Sequence, residues 1–474
     1  EAHRQSLNRS VQLYECINTV ACTALSNNET GHWSVKCAKG YGGRLCGECG
    51  INNTKSGDRA YVRSGDACVK CYPEHLNTVF VVAMALFIFV GLILLIRFKE
   101  FERDQKRMIV FRQLLTHAQM LGALGMYKAR GPAVFRSMVG WVKTAGGGVV
   151  GFFPLLCATK MSFYSRFTMQ MLLPVVLLPT IALLTKIIFS YRHTVQKRRT
   201  RQLQQMSREK KLQLRQKRFK KYGTESLHAP TQTNFQQTWW PRAQALMIFV
   251  YFSLYPSLVQ QIFLIMNCTE PVEGVRYLTE DLSIPCGDRN HRSAVVVSYF
   301  LGVIYCAGFP LFIVWLLIRN IESLKTSDFF SKFGFLYDGY SLDRGNIIVC
   351  WEVLVLFRKA AIVVLATLVD DPYTQTMLAI LLLSGVLLVH LQLRPYEKEI
   401  LNNLETMSLF SLLVTQTFCI MYLHIDYQRL NAGGAPDTSN NANSSTGEII
   451  LTVLLTFINI VVLFVLLANF VSGY

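Results

Sequence analysis

Three charged residues, Glu352, Arg358 and Lys359, interrupt an apolar stretch that runs from Ile347 to Val369. Each charge at the centre of a membrane helix costs roughly 2.5 to 3.5 kcal/mol on insertion scales, so such a helix is not expected to face lipid at that depth. Glu352 and Lys359 are seven residues apart, which places them on one helix face, where they could pair or face a hydrated cavity. Three interpretations stay open: an interior ion pair that fixes packing, an ion pathway or gate, and side chains that reach a displaced membrane surface.

Other polar side chains lie inside apolar stretches, where each can simply hydrogen-bond between helices. They are Gln260, Gln261, His390, Gln392, Gln416 and Asn459. If the protein conducts ions, we expect the path to be lined by Glu352 together with Gln260, His390 or Gln416. The sequence contains no Walker loop, HExxH helix or GxSxG elbow, so it predicts neither an enzyme nor a cofactor.

Seven of the 13 cysteines precede the first long apolar stretch. They are Cys16, Cys22, Cys37, Cys46, Cys49, Cys68 and Cys71. Two CxxC pairs at this separation would suit a zinc ribbon in the cytosol, but an extracellular segment favours disulfides over a metal site. The glycine-rich run before Cys46 is typical of EGF-type modules. Because seven is odd, one thiol is free or pairs elsewhere; Cys157 is a candidate partner, and an unpaired buried cysteine is the alternative for Cys157.

The elements that must position these residues are membrane helices, because 51% of the chain is hydrophobic and only 16% charged. A bilayer core about 30 Å thick needs roughly 20 apolar residues per helix. Eight stretches qualify: Thr78 to Ile96, Phe167 to Ser190, Ala243 to Met266, Ser293 to Ile318, Ile347 to Val369, Thr374 to Leu393, Glu405 to Leu423 and Glu448 to Phe470.

Eight crossings would place the basic run from Arg192 to Lys221 outside the cell, against the preference of Lys and Arg for cytoplasmic loops. That run carries thirteen Lys or Arg and the single Glu209. We therefore expect a ninth crossing, and favour Met108 to Met126, which carries Arg112, Gln113, His117 and Gln119. The segment from Val134 to Cys157 is then an outer-face amphipathic or re-entrant piece, although it could instead be the crossing helix.

With about nine spans, the N-terminus lies outside and the C-terminus in the cytoplasm. The glycosylation sequons then all lie outside, at Asn8, Asn28, Asn52, Asn267 and Asn443. A disulfide between Cys268 and Cys286 is expected in the outer loop after Met266. The chain starts at Glu1 without an initiator Met or a signal peptide, which we interpret as a processed or trimmed product.

The predicted fold is an all-α polytopic membrane protein with a small disulfide-rich extracellular module at its N-terminus. Four parts follow: the module, 1–76; three spans with the outer-face segment, 77–191; a basic cytoplasmic loop, 192–242; and a six-span bundle, 243–474. The net charge of +18 is concentrated in the basic loop, which favours solvent, anionic lipid or a regulator over nucleic acid.

Several motifs resemble those of protist and algal membrane proteins with EGF-like heads and a TRP-like C-terminal region, and of the fungal TRP-like, polycystin-related family. The motifs are Cys37-Ala-Lys-Gly-Tyr-Gly-Gly-Arg-Leu-Cys46-Gly-Glu-Cys49, Ser162-Phe-Tyr-Ser-Arg-Phe167, Leu254-Tyr-Pro-Ser-Leu258, Phe335-Leu-Tyr-Asp338, Trp351-Glu352, Arg358-Lys359, Leu393-Arg-Pro-Tyr396 and Asn402-Asn-Leu-Glu405. The resemblance implies a calcium-permeable or channel-related protein of the plasma or ciliary membrane, alone or as an oligomer.

The chain departs from a tetrameric channel in the loop from His424 to Gly447, which is polar and rich in Asn and Ser and has no apolar pore helix. Three functions are therefore carried forward. The first is a TRP-like cation channel or channel-related surface protein, the second a non-conducting anchor or receptor for an extracellular filament or matrix protein, and the third a lipid scramblase or transporter.

Overall fold

The computed structural model describes residues 21–26, 33–49, 61–64, 67–97, 105–124, 153–159, 161–205, 235–431 and 446–473. Cys16 and the sequons at Asn8, Asn28, Asn52 and Asn443 lie outside these ranges, as do most of the predicted outer-face segment and much of the basic loop. The described residues are mostly helical, with short β-hairpins in the disulfide-rich module and in one later loop.

The module, which we number 1–76 as above, contains three antiparallel hairpins in the described ranges. The strands are β1 Cys22–Ser26, β2 Trp33–Cys37, β3 Tyr41–Gly42, β4 Glu48–Cys49, β5 Tyr61–Ser64 and β6 Ala67–Lys70. Such short hairpins bury little apolar surface and are marginal alone. Disulfides between them provide the missing stability: Cys37–Cys46 and Cys49–Cys68 join consecutive hairpins.

The helices before the second half of the chain are α1 Glu74–Arg97, α2 Gln105–Leu124, α3 Phe153–Thr159, α4 Phe163–Gln205 and α5 Phe235–Leu264. A hairpin of β7 Tyr277–Leu278 and β8 Asp281–Pro285 follows. The later helices are α6 Arg289–Gly302, α7 Phe309–Arg319, α8 Ser327–Phe333, α9 Asn346–Val349, α10 Trp351–Leu368, α11 Pro372–Leu393, α12 Glu399–Asn431 and α13 Thr446–Ser472.

Seven helical stretches in the described ranges are long and apolar enough to cross a membrane. They are α1, α4, α5, α6 continued into α7, α11, α12 and α13. The prediction of a helical membrane protein is thus confirmed in outline, while nine spans are not. The other two of the nine predicted spans correspond to α2 and α10. These helices are less apolar because they carry several charged and polar residues, including Arg112 in α2 and Arg358 in α10.

Helix α4 continues beyond the predicted span into the predicted basic loop. The prediction ended at Ser190, whereas α4 ends at Gln205. The added residues are mostly Lys, Arg and Gln, which favour helix, and include neither Gly nor Pro. The first part of the predicted loop is therefore a basic continuation of a membrane helix.

The two ends of the bundle can be distinguished by their contacts. The head end carries the module and the head-end loop, residues 267–286, and there Asn267 Nδ2 donates to Thr367 O at the end of α10. At the opposite end, Gln113 Nε2 in α2 donates to Leu401 O near the start of α12. Gly339 lies against Ile109 there with a φ of +86°, and a Cβ at Gly339 would overlap that side chain, so the close approach favours glycine.

The α6–α7 stretch contains a π-helical segment, Val303–Gly308, just before Pro310. A proline has no N–H to donate to the carbonyl four residues earlier, and the π register leaves another carbonyl unused. Two tyrosines of α5 supply the missing donors: Tyr251 Oη donates to Tyr305 O at 2.7 Å and Tyr255 Oη to Cys306 O at 3.1 Å. This is the compensation that a broken helix in a membrane needs.

Candidate functional site

The first part of the site is a buried group of charges that we call the charge cluster: Arg112, Glu352, Arg358, Lys359 and Glu405. Helices α2, α10 and α12 supply these residues. The side chains of Arg112, Glu352, Arg358 and Glu405 are each between 3% and 6% exposed, and Lys359 is buried as well. Their close grouping follows from the high cost of an unpaired charge in a low-dielectric interior.

Arg112 and Glu352 form one ion pair, with Nε and Oε2 3.2 Å apart. Tyr340 Oη donates to the same carboxylate oxygen at 2.7 Å. Burial raises the pKa of Tyr340 well above its ordinary value, so the phenol keeps its proton and acts as the donor. Arg112 also donates through Nη1 to Phe335 O and through Nη2 to Asp338 O. Arg112 therefore ties α2 to α10 and to the loop before α9.

Arg358 and Glu405 form the second ion pair, with Nη2 and Oε1 2.9 Å apart. The neighbouring Lys359 has a neutral partner instead, since its Nζ donates to Gln119 Oε1 at 2.8 Å. Gln119 in turn donates through Nε2 to Ser253 O on α5. Two cations thus face two carboxylates, while a third basic group is held by an amide.

Glu352 and Lys359, which could have paired along one face of their helix, each have a closer partner on another helix. The two residues do share a helix, but Arg112 approaches Glu352 from α2, and Gln119 approaches Lys359 about two turns further along α2. Side chains on α2 point directly at Glu352 and Lys359. Pairing of Glu352 with Lys359 would instead require both side chains to bend along their own helix.

The remaining predicted path residues do not join the charge cluster by any hydrogen bond that the described residues show. His390, buried on α11, is hydrogen-bonded through Nε2 to Asn402 O at 3.2 Å and packs beside Trp351 and Tyr396. Gln260 is half-buried on α5. Gln416 is fully buried on α12, and neither of its side-chain polar atoms has a hydrogen-bond partner among the described residues.

Sequence reasoning missed Glu405 and Tyr340 as members of the site. Arg112, Gln119 and His117 were noted only as polar interruptions of a candidate span; His117 Nδ1 and Ser408 Oγ lie 2.9 Å apart in the structure. The available signal was the polarity of that candidate span itself. A helix with so many buried polar groups needs partners of matching chemistry, and α10 is the other interrupted helix.

The second part of the site is the contact of the module with the head end of the bundle. Cys71 forms a disulfide with Cys157 in α3, across 86 residues of sequence, so the odd cysteine of the module does pair outside it. Cys22 is disulfide-bonded too. A covalent bond therefore joins the module to the helix that precedes α4.

The module also packs on the head-end loop without covalent bonds. Arg63 Nη1 donates to Thr279 O at 3.2 Å and to Glu280 O at 2.9 Å. The Arg44 guanidinium lies over the Tyr277 ring, 4.2 Å from its centroid. Two arginines from different parts of the module thus contact the same short stretch of the head-end loop.

The head-end loop is itself closed by the expected Cys268–Cys286 disulfide. His291 lies beside this disulfide, and its Nε2 is 3.0 Å from Ile265 O. Cys268, Cys286 and His291 are close enough in space to suggest a metal site, but both sulfur atoms are already bonded to each other. We therefore interpret the group as a structural closure.

Asn267, a predicted glycosylation site, uses its side chain for packing. Its Nδ2 donates to Thr367 O at 2.5 Å, and its Oδ1 accepts from Thr279 Oγ1 at 3.1 Å. The amide nitrogen is the atom that would carry a glycan. In this structure it instead ties the head-end loop to α10.

These features define a class: a helical membrane protein whose disulfide-rich N-terminal module is fixed on its helix bundle. The chain is similar to cysteine repeat modular protein A of Toxoplasma gondii, with 22% identity over 200 residues, which cover 38% of this chain and 6% of that protein. The chain thus spans a small part of the length of this relative. No family model and no solved structure matches it, so the resemblance to EGF-type and TRP-like proteins gains no support from these comparisons.

Proposed function

We propose that the protein is a membrane anchor or receptor, which holds its extracellular module rigidly against a bundle of nine crossing helices. The observation that carries this proposal is the docking of the module at independent points: the Cys71–Cys157 disulfide and the contacts of Arg63 and Arg44 with the head-end loop. A module that only needed to be tethered would require one connection. Several connections between rigid parts suit the transmission of a load or of a binding event.

Nine crossings follow if α2 and α10 join the seven apolar helices. Their charged side chains then meet inside the bundle, while the apolar helices surround them. Chain direction supports this count: α2 contacts the loop before α9 at the opposite end, and α10 reaches Asn267 at the head end. With the basic end of α4 in the cytoplasm, the head end lies outside, at the cell surface.

The charge cluster favours an anchor over a channel. Four of its five charges are satisfied by each other and Lys359 by an amide, which suits a packed interior more than a wet pathway. The name of the Toxoplasma relative describes a modular protein with cysteine repeats, and such modules fit an extracellular binding role. The partner that we propose is an extracellular filament or matrix protein.

Force applied to the module tests the anchor. In a supported bilayer, the full chain is pulled through a handle at its N-terminus with magnetic tweezers, while the bilayer current is recorded. The expected result is a single detachment of the module from the bundle at high force in the wild type. The module of Arg63→Ala should detach at lower force, whereas that of Val69→Ala, which truncates an exposed side chain of the same module, should detach at the wild-type force. Detachment at the same force in all three chains would contradict the proposal.

Cation conduction is the second candidate, because buried ionisable residues in membrane helices often mark ion paths and the Gln416 side chain has no hydrogen-bond partner among the described residues. Its test is the current of the reconstituted chain under voltage, stretch and a calcium gradient, with Glu352→Gln and Lys359→Gln as comparisons. A current whose selectivity changes in these variants would establish conduction. If correctly folded wild-type protein carries no current, conduction is refuted and the anchor remains the proposed function.

A further inference from the structure

Helices α4 and α5 pack against each other and contain no acidic residue in either of their sequences. At the opposite end of the bundle they do contain several basic ones. Lys186 and Arg192 lie on α4, and Arg242 lies near the start of α5. Positive charge is therefore concentrated on this end of the helix pair.

Aromatic rings organise the basic side chains. Lys186 Nζ lies 5.8 Å from the centroid of the Trp239 ring. The guanidinium groups of Arg242 and Arg192 lie 4.9 Å and 5.9 Å from the centroid of the Phe189 ring. We call these five residues the basic-aromatic patch. Cation–π contacts of this kind hold a cation beside the face of an aromatic ring.

The position of the patch along α4 matches the level of lipid headgroups. Helix α4 has 43 residues and is thus about 64 Å long, whereas the hydrocarbon core is about 30 Å thick. Leu183 and Ile187, on either side of Lys186, are 58% and 54% exposed, as expected for side chains that face acyl chains. Trp240, next to the patch, is 43% exposed, and tryptophan is enriched at the membrane surface.

We propose that the basic-aromatic patch binds the phosphate-bearing headgroup of an anionic lipid in the leaflet at the opposite end of the bundle. The exposed apolar residues beside Lys186 make a lipid the expected occupant, because its acyl chains would contact them and a free phosphate compound would not. Beyond the patch, Lys197, Arg198 and Arg201 continue along the same helix and extend the positive surface into the cytoplasm. This site does not depend on the anchor function.

Lipid binding to the purified full chain tests the site. Native mass spectrometry gives the dissociation constants of phosphatidylinositol bisphosphate and of phosphatidylcholine for the wild type, Lys186→Gln, Arg242→Gln and the double variant. Each basic residue near the surface contributes about 1 kcal/mol to anionic lipid binding, or about fivefold in affinity. We expect about that loss in each single variant, a larger loss in the double variant, and no change for phosphatidylcholine.

Arg319→Gln is the matched control. Arg319 ends α7 at the same end of the bundle and also lies over a tryptophan, with its Cζ 5.9 Å from the Trp315 centroid, but it is outside the patch. Lys186→Arg should keep the affinity. The unchanged thermal midpoint of each lipid-free variant shows that it is folded.

Three results would overturn the site. The first is equal affinity of the wild type and the double variant for the bisphosphate lipid. The second is an equal loss in Arg319→Gln, which would indicate a diffuse effect of charge. The third is binding of soluble inositol trisphosphate as tight as that of the lipid, which would assign the patch to a soluble phosphate compound.

Discussion

Replacing Arg358 by methionine would leave the Glu405 carboxylate in the bundle interior without its cationic partner. With Nη2 and Oε1 2.9 Å apart and an effective dielectric constant of about 20, their Coulomb attraction is about 6 kcal/mol. Desolvation of both groups offsets part of this attraction. Loss of one partner of a buried pair typically costs about 3 to 5 kcal/mol, and we expect Arg358→Met to lower the free energy of unfolding by that amount.

The assay is reversible unfolding of the full chain in bicelles, for Arg358→Met, Glu405→Gln and the double variant. The double variant strands no charge and should be more stable than either single variant. Lys325→Met is the control: Lys325 and Asp343 lie 3.3 Å apart, but their side chains are 75% and 90% exposed, so the loss should be below about 1 kcal/mol.

The result that would refute this reasoning is a loss in Arg358→Met no larger than in the exposed control. A double variant that loses the sum of the two single losses would refute it as well, because independent effects add and a coupled pair does not. Either result would mean that the two charges do not stabilise each other across α10 and α12.

Other perturbations test the module and the helix compensation. Cys157→Ser should release the covalent link to Cys71, remove about 4.5 kcal/mol of loop-closure stabilisation over an 86-residue separation, and speed proteolysis of the module in non-reducing conditions. Asn267→Gln should lower the thermal midpoint of the protein, because the hydrogen bond to Thr367 is lost. The variant and the wild type should release the same glycan mass on glycosidase treatment; a variant that has lost the mass of one glycan would contradict this. Tyr251→Phe should lower the free energy of unfolding by about 1 kcal/mol, because the Tyr305 carbonyl in the π-helical segment loses its donor. Tyr191→Phe, at an exposed position, should leave that free energy unchanged.

Much of the helix content could be predicted from apolar runs alone. The stretch predicted from Thr374 became Pro372–Leu393, and its start was shifted only because Asp371 caps the helix by accepting from Thr374 N at 2.7 Å. Hydrogen bonds from the Thr374 side chain and from the Thr374 N–H lower the pKa of Asp371. The end of α4 was predicted less accurately, because the prediction stopped where the apolar residues stop. A basic helix that continues beyond the membrane has no apolar pattern to mark it.

The partners within the site could not be predicted in the same way. Arg112 and Glu352 are 240 residues apart, and a chain position does not tell which helix a charge will meet. Cys71 illustrates the difference: the odd number of cysteines predicted an outside partner, but Cys157 was one of two readings. Counting can show that a partner is needed, whereas only packing shows which residue is close enough to serve.

Helix α10 links the two parts of the site, and this link gives the charges a role beyond balancing each other. At the head end, Thr367 accepts from Asn267 of the loop on which Arg63 docks. Nine residues earlier in the same helix, Arg358 pairs with α12, about 14 Å away along the axis. A load on the module would thus pass through the head-end loop into α10 and be resisted by ion pairs to its neighbours. An apolar α10 could slide against those neighbours with little penalty, because lipid and leucine are equally good surroundings for it. Buried ion pairs would instead favour one register, which is the property that the proposed anchor would require of α10.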